Sequence, residues 1–208
     1  KRQIGKIDIY RDKIFSIELP TGMGKTLTAF SFALKLREKI KEKKGYLPRI
    51  IYSLPFLSII DQNSKVLSEV LVREKISYKK YLKLPAKKKE KFLDKIATNI
   101  FLKHHHLSDI KYTMESNNED LKEFEKDKAL LLIEGWYSEI IITTFVQLFE
   151  SLISTKNRAL RKVHNIANSI IILDEFQSIP CEYWKLTRNV LRFIAEKWNC
   201  YIITVSYT

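Results

Sequence analysis

Cysteine, glycine and proline are all scarce in this 208-residue chain. The two cysteines, Cys181 and Cys200, exclude a disulfide-built scaffold, and their apolar flanks place both in the core of a reduced protein. Five glycines and five prolines exclude collagen-like and linker-like composition. The longest unbroken apolar run is Ala129–Ile133, far short of the ~20 residues that a membrane-spanning helix needs. The amino terminus, KRQIGKIDIYR, lacks both the apolar stretch of a secretory signal and an initiator Met. The expectation is a piece of a longer cytoplasmic protein with no membrane partner. With 45% hydrophobic residues, the chain has enough apolar material for a packed core.

Negative charge is also in short supply: 24 Asp and Glu stand against 37 Lys and Arg, for a net charge of +13. The excess is uneven. Residues 1–45 carry twelve basic and five acidic side chains, and residues 73–103 carry eleven and three. Two basic blocks of this size suit a polyanion such as nucleic acid. A solvated lysine-rich helix face is the plainer reading of 73–103, and charge alone leaves the two balanced.

Short apolar runs alternate with helical patterns. Residues 14–18, 49–53, 139–143, 169–173 and 200–205 read as strands, the first of them buried. Helices are expected from Thr26 to Lys41, from Ser58 to Leu71, from Phe145 to about Ser154, and from Pro180 to about Trp198. In the first of these, Leu27, Phe30, Leu34 and Ile40 recur near helical spacing, and Gly45 stops it. Residues 73–133 hold no clear strand and two charged helical patterns, near 86–102 and 119–133, which read as a helical insertion. All-apolar strands alternating with helices predict an α/β fold with a mostly parallel sheet covered on both faces.

Between the first strand and its helix lies LPTGMGKT, residues 19–26. The phosphate-loop pattern is Gly-x-x-x-x-Gly-Lys-Ser/Thr. Gly24, Lys25 and Thr26 keep its last three positions, and Leu19 replaces its first glycine. Glycines let backbone N–H groups close around phosphates, and the helix amino terminus adds favourable partial charge. Lys25 would reach the β- and γ-phosphates and the Thr26 hydroxyl would help hold Mg²⁺. Far along the chain, Asp174 and Glu175 follow the run IIIL at the expected carboxyl end of a buried strand, where ligands sit in such sheets. Asp174 can hold Mg²⁺ and Glu175 can orient or deprotonate a water. Asp-Glu after a strand is by itself a common cap or turn. Paired with a phosphate loop in the same sheet it becomes specific.

These strings carry a family resemblance. LPTGMGKT resembles motif I of superfamily 2 helicases and LDEFQ resembles motif II. SLPFLSIIDQN (53–63) looks like motif Ia, IITTFVQLFESL (141–152) looks like motif Ib, and VHNIANSIIILDEFQSIP (163–180) surrounds motif II. Together they resemble the helicase part of the CRISPR-associated helicase–nuclease of type I systems. The resemblance implies that residues 1–208 are a first RecA-like ATPase domain, with the insertion at about 73–133. It implies ATP and Mg²⁺ at Thr21, Gly22, Gly24, Lys25 and Thr26, with Asp174 and Glu175 serving metal and water. It implies that Gln177 couples nucleotide to DNA across the domain cleft, that Pro55, Phe56, Thr143 and Thr144 lie in segments touching single-stranded DNA, and that Ser206 and Thr208 are the ends of motif III. The middle of that motif is Tyr207 where the family has Ala, a bulky change expected to affect coupling and to leave phosphate binding alone. The implied partners are single-stranded DNA, a CRISPR surveillance complex, and an HD-type nuclease domain or subunit. None of the four histidines is followed by Asp, so the nuclease is expected elsewhere, as is the second RecA-like domain with its arginine finger.

Other residues carry plainer readings. His104–His106 read as loop, His164 as a structural hydrogen-bonding residue, and Trp136, Trp184 and Trp198 as core or interface packing. The expected function is an ATP-driven translocase or helicase on single-stranded DNA in CRISPR-directed degradation of foreign DNA. A nucleotide-gated module that docks a partner complex without unwinding is the alternative.

Overall fold

The computed structural model describes residues 6–20, 22–56, 63, 67, 101–104, 135–154 and 156–207. Among them, six strands form one sheet: β1 (Ile14–Glu18), β2 (Ile50–Leu54), β3 (Phe101–His104), β4 (Ile140–Thr144), β5 (Ile170–Leu173) and β6 (Tyr201–Ser206). Their order is β1-β6-β5-β2-β4-β3, and every pairing is parallel. Four α-helices accompany them: α1 (Lys25–Lys44), α2 (Phe145–Ile153), α3 (Asn157–Ile166) and α4 (Trp184–Lys197).

Side chains alternate between faces along each strand, so the apolar runs feed two cores. Ile50, Tyr52, Ile140, Ile142, Ile170, Ile172, Tyr201 and Ile203 pack with Phe30, Leu36 and Ile40 of α1. The intervening Ile51, Ile141, Ile171 and Ile202 pack with Phe145 and Leu148 of α2 and with Leu191 and Ile194 of α4. Burial of each such side chain stabilises by roughly 1.5–3 kcal/mol. β2, β4 and β5 are buried at every position, which is why their sequences are continuous rather than alternating.

Several expectations need correction. β1 is not a buried strand: Ile14 is 53% exposed, because β1 ends the described sheet and has only β6 beside it. Leu27 points outward from α1, whose buried stripe is Ala29, Phe30, Ala33, Leu34, Leu36 and Ile40. Residues 73–133 do contain a strand, since β3 pairs along β4, and it takes in Phe101 and Leu102, the last two residues of the helix expected near 86–102. Pairing with a free sheet edge overrode a local sequence without β-branched residues. The rest of the insertion, and most of the helix expected at 58–71, lie outside the described residues. α3 had no counterpart in the sequence reading. Pro180 caps a short 3₁₀ turn, Cys181–Tyr183, and α4 begins only at Trp184. That turn leaves Cys181 exposed, whereas Cys200 is buried, and burial pushes its thiol up to about 11. Gly45 ends α1 as expected, left-handed at φ 75°, with its N–H on the Lys41 carbonyl. Trp136 is fully buried and Trp198 packs on the same core, while Trp184 is half exposed.

Opposite the carboxyl ends of the strands, Lys13 lies 4.0 Å from the centre of the Tyr201 ring. Burial, and then the neighbouring Lys44 charge, lower its ammonium from the ordinary 10.5 to about 8. A lysine depressed in the folded state contributes stability that is lost as pH falls through that window. Lys13→Met is therefore expected to melt higher than the parent at pH 7. The gap should close between pH 8 and 10.5 in thermal melts recorded across that range.

Candidate functional site

The site is assembled at the carboxyl ends of β1 and β5. After β1 the chain turns through residues 19–24 into α1. Gly22 and Gly24 sit at φ 80° and 71°, in the left-handed region. Beyond the glycine itself and its chain neighbours, no heavy atom lies within 4 Å of where a Cβ would stand at either position, so conformation and not crowding calls for glycine, and the space there is open. Gly24 caps α1 without a side-chain hydrogen bond, and the first turn of α1 carries no acidic residue. The positive end of the helix thus has no acidic side chain of its own first turn in front of it.

β5 delivers the carboxylates. The Asp174 N–H donates to the Ser53 carbonyl at 3.0 Å, extending the β5–β2 ladder by one residue. Glu175 then adopts φ 54° and ψ 45° and starts the 3₁₀ turn Phe176–Ser178. A non-glycine residue there costs on the order of 1–3 kcal/mol, and it sends two adjacent carboxylates in different directions. Asp174 turns toward α1: its Oδ2 accepts from the Tyr52 hydroxyl at 2.6 Å and from the Thr26 hydroxyl at 3.3 Å, and its Oδ1 from the Glu175 N–H at 3.0 Å. Glu175 Oε1 meets Lys25 Nζ at 2.9 Å, and the Gln177 amide donates to Glu175 Oε2. The Lys25 and Glu175 side chains are 10% and 33% exposed, so water screens the pair only in part.

Asp174 is 3% exposed and has no cation beside it in the described contacts. Burial raises its carboxyl above the ordinary range, although the donated hydrogen bonds pull it back. Burial, then the Asp174 charge, hold the Tyr52 phenol well above its ordinary value. An acidic oxygen beside a hydroxyl is a hard donor set that suits Mg²⁺ completed by phosphate oxygens and water. Among the described residues no group of three or more His, Cys, Asp and Glu forms a self-sufficient metal centre.

The structure thus brings together Gly22, Gly24, Lys25, Thr26, Asp174, Glu175 and Gln177. Thr21 and Thr208 lie outside the described residues. Ser206 pairs with Glu18, and its carbonyl accepts from the Leu19 N–H at 3.3 Å, so the end of β6 is tied to the start of the loop. The Tyr207 ring centre is 5.3 Å from Lys25 Nζ, within cation–π range, so it adjoins the phosphate-loop lysine. Phe56 is exposed and Pro55 half-buried at the end of β2, whereas Thr143 is fully buried and Thr144 caps α2, its hydroxyl accepting from the Gln147 N–H at 3.3 Å. Sequence reasoning missed Tyr52. Its signal was a hydroxyl-bearing residue within the apolar run of a buried strand.

A parallel α/β sheet with a glycine loop leading into α1 and paired carboxylates after a central strand defines a RecA-like domain. Residues 2–203 match the family described as "Type III restriction enzyme, res subunit", and the chain belongs to that family. The chain is also 29% identical over 203 residues to the "CRISPR-associated nuclease/helicase Cas3" of Haloferax volcanii, covering 97% of this chain and 20% of that protein. The crystal structure of T. fusca Cas3-ATP has the same fold, with a TM-score of 0.62 at 18% identity, across 95% of this chain and 19% of that one. T. fusca Cas3-ADP gives 0.61 at 18% identity, with the same coverage. The chain therefore spans about a fifth of the length of the relatives it matches. Among the described residues no helix is long and apolar enough to cross a membrane.

Replacing Gly24 with Ala forces a Cβ into the left-handed region at roughly 1–2 kcal/mol. The variant is expected to lose thermal stability by that order and to bind ADP at least tenfold more weakly by fluorescence titration, because the loop closes differently.

Proposed function

We propose that this chain is the first RecA-like domain of an ATP-driven motor on single-stranded DNA, acting in CRISPR-directed degradation of foreign DNA. The observation that carries the reading is the double contact of Lys25 with Glu175 and Thr26 with Asp174, which joins the loop to the acidic pair across 150 and 148 residues of sequence. Chance turns do not converge in this way. The likeness to the Haloferax volcanii Cas3 protein, whose name combines nuclease and helicase, supports the setting.

ATP phosphates would lie against Gly22, Gly24 and the first turn of α1. Lys25 would leave Glu175 for the β- and γ-phosphates, trading one anion for another. Glu175, released, would orient and deprotonate the attacking water, while Gln177 holds its other oxygen. Thr26 and Asp174 would hold Mg²⁺, which neutralises charge building up on the phosphates. Phe56, exposed beside Pro55, is suited to stack on a base, and backbone phosphates would give grip without sequence readout. A second RecA-like domain supplying an arginine finger would complete the site, which is worth roughly 10³–10⁵ in rate. An HD-type nuclease and a CRISPR surveillance complex are the proposed partners.

The test is ATP hydrolysis by the full-length protein with and without single-stranded DNA. DNA is expected to stimulate turnover strongly. Lys25→Ala should abolish both binding and turnover, and Glu175→Gln should lower turnover by about 10²–10⁴-fold while nucleotide still binds. ATP bound through Lys25 with turnover indifferent to DNA would overturn the motor in favour of nucleotide-gated docking.

A further inference from the structure

Tyr52 has no place in the chemistry above, yet it makes a short hydrogen bond in the centre of the sheet. It is fully buried. On β2 it lies between Ile50 and Leu54 on the face toward α1, and all three belong to one apolar core. A hydroxyl in such a layer is costly unless it is hydrogen-bonded, and a phenylalanine would fill the same space without that requirement. The hydroxyl donates to Asp174 Oδ2 at 2.6 Å, in the range of charge-assisted O–H···O⁻ bonds.

The register explains how it reaches. Tyr52 pairs with Ile172 on β5, and Asp174 stands two residues further along the same face. Three donors then fix the carboxylate: the Tyr52 hydroxyl and the Thr26 hydroxyl on Oδ2, and the Glu175 N–H on Oδ1. Thr26 belongs to the first turn of α1 and Glu175 contributes backbone. Tyr52 alone grips Asp174 with a side chain from the interior of the sheet.

We infer that Tyr52 is a positioning residue for Asp174: its hydroxyl fixes the rotation of the carboxylate, and so determines how well the site takes the divalent cation that accompanies nucleotide. The inference rests on the reading of Asp174 as a cation ligand. Partners one shell out from a metal ligand change metal affinity by about 10–100-fold when removed.

The experiment titrates Mg²⁺ into the full-length protein with a fluorescent ADP analogue, for the parent, Tyr52→Phe, Asp174→Asn and the double variant. Tyr52→Phe is expected to raise the Mg²⁺ concentration for half-maximal binding at least tenfold, with analogue affinity in EDTA kept within about twofold. In the Asp174→Asn background the same change should produce no further shift, because the effect runs through that carboxylate. A half-point unmoved by Tyr52→Phe overturns the inference, and so does an equal shift in the Asp174→Asn background or an equal loss of affinity in EDTA. Should Tyr52→Phe not fold, Asp174→Glu, which keeps the charge and carries it off the hydroxyl, is expected to raise the half-point likewise, and an unmoved half-point overturns the inference. Lys25→Ala separates the two levels. Binding that survives Lys25→Ala sinks the nucleotide site itself, whereas binding lost there with an unmoved Tyr52→Phe half-point sinks only the role of Tyr52.

Discussion

The ion pair between Lys25 and Glu175 is the contact on which the site depends. It exists because two distant segments end at the same edge of one parallel sheet. β1 and β5 are both neighbours of β6, and parallel pairing turns all three carboxyl ends the same way. A slip of one residue between β5 and β2 would turn the Asp174 side chain from the α1 face to the opposite one and separate it from Thr26 and Tyr52. The continuous burial of β2, β4 and β5 holds that register, since every position has a side chain fitted to one core or the other.

The same pair is a poor source of stability. Partly desolvated ions give back much of their attraction as lost hydration, and Glu175 is additionally held in a left-handed conformation. The arrangement makes sense as one that another anion can displace. Lys25 has a carboxylate at 2.9 Å and the Tyr207 ring at 5.3 Å, so on the proposed reading a phosphate would replace Glu175 without leaving the ammonium unpaired. Tyr207 also brings the chain just after β6 to Lys25, a side-chain contact that Ala at that position would not make.

Much of this was legible in the sequence, and the reasons are physical. β2, β4, β5 and β6 are legible as short β-branched runs, because strands buried on both faces have few polar positions to dilute them. The loop was legible because a glycine pair followed by Lys-Thr has few other uses between a strand and a helix. What escaped depends on tertiary context. β3 is a four-residue strand whose local sequence favours nothing in particular until β4 offers an edge. The exposure of Ile14 follows from the place of β1 at the margin, which sequence order does not reveal. Tyr52 looked like one more apolar residue, and only the register of β2 on β5 brings its hydroxyl to Asp174. The nearness of Tyr207 to Lys25 is not legible either, because motif order says nothing about the distance from β6 to the loop.

The central claim is that the loop and the acidic pair are one nucleotide site in which phosphate displaces Glu175 from Lys25. The most direct test is a structure of the full-length protein with Mg²⁺ and a non-hydrolysable ATP analogue. The account predicts phosphates against Gly22 and Gly24, Lys25 moved from Glu175 onto them, and the cation between Thr26 and Asp174. An analogue bound elsewhere, with the 2.9 Å contact between Lys25 and Glu175 intact, would contradict it.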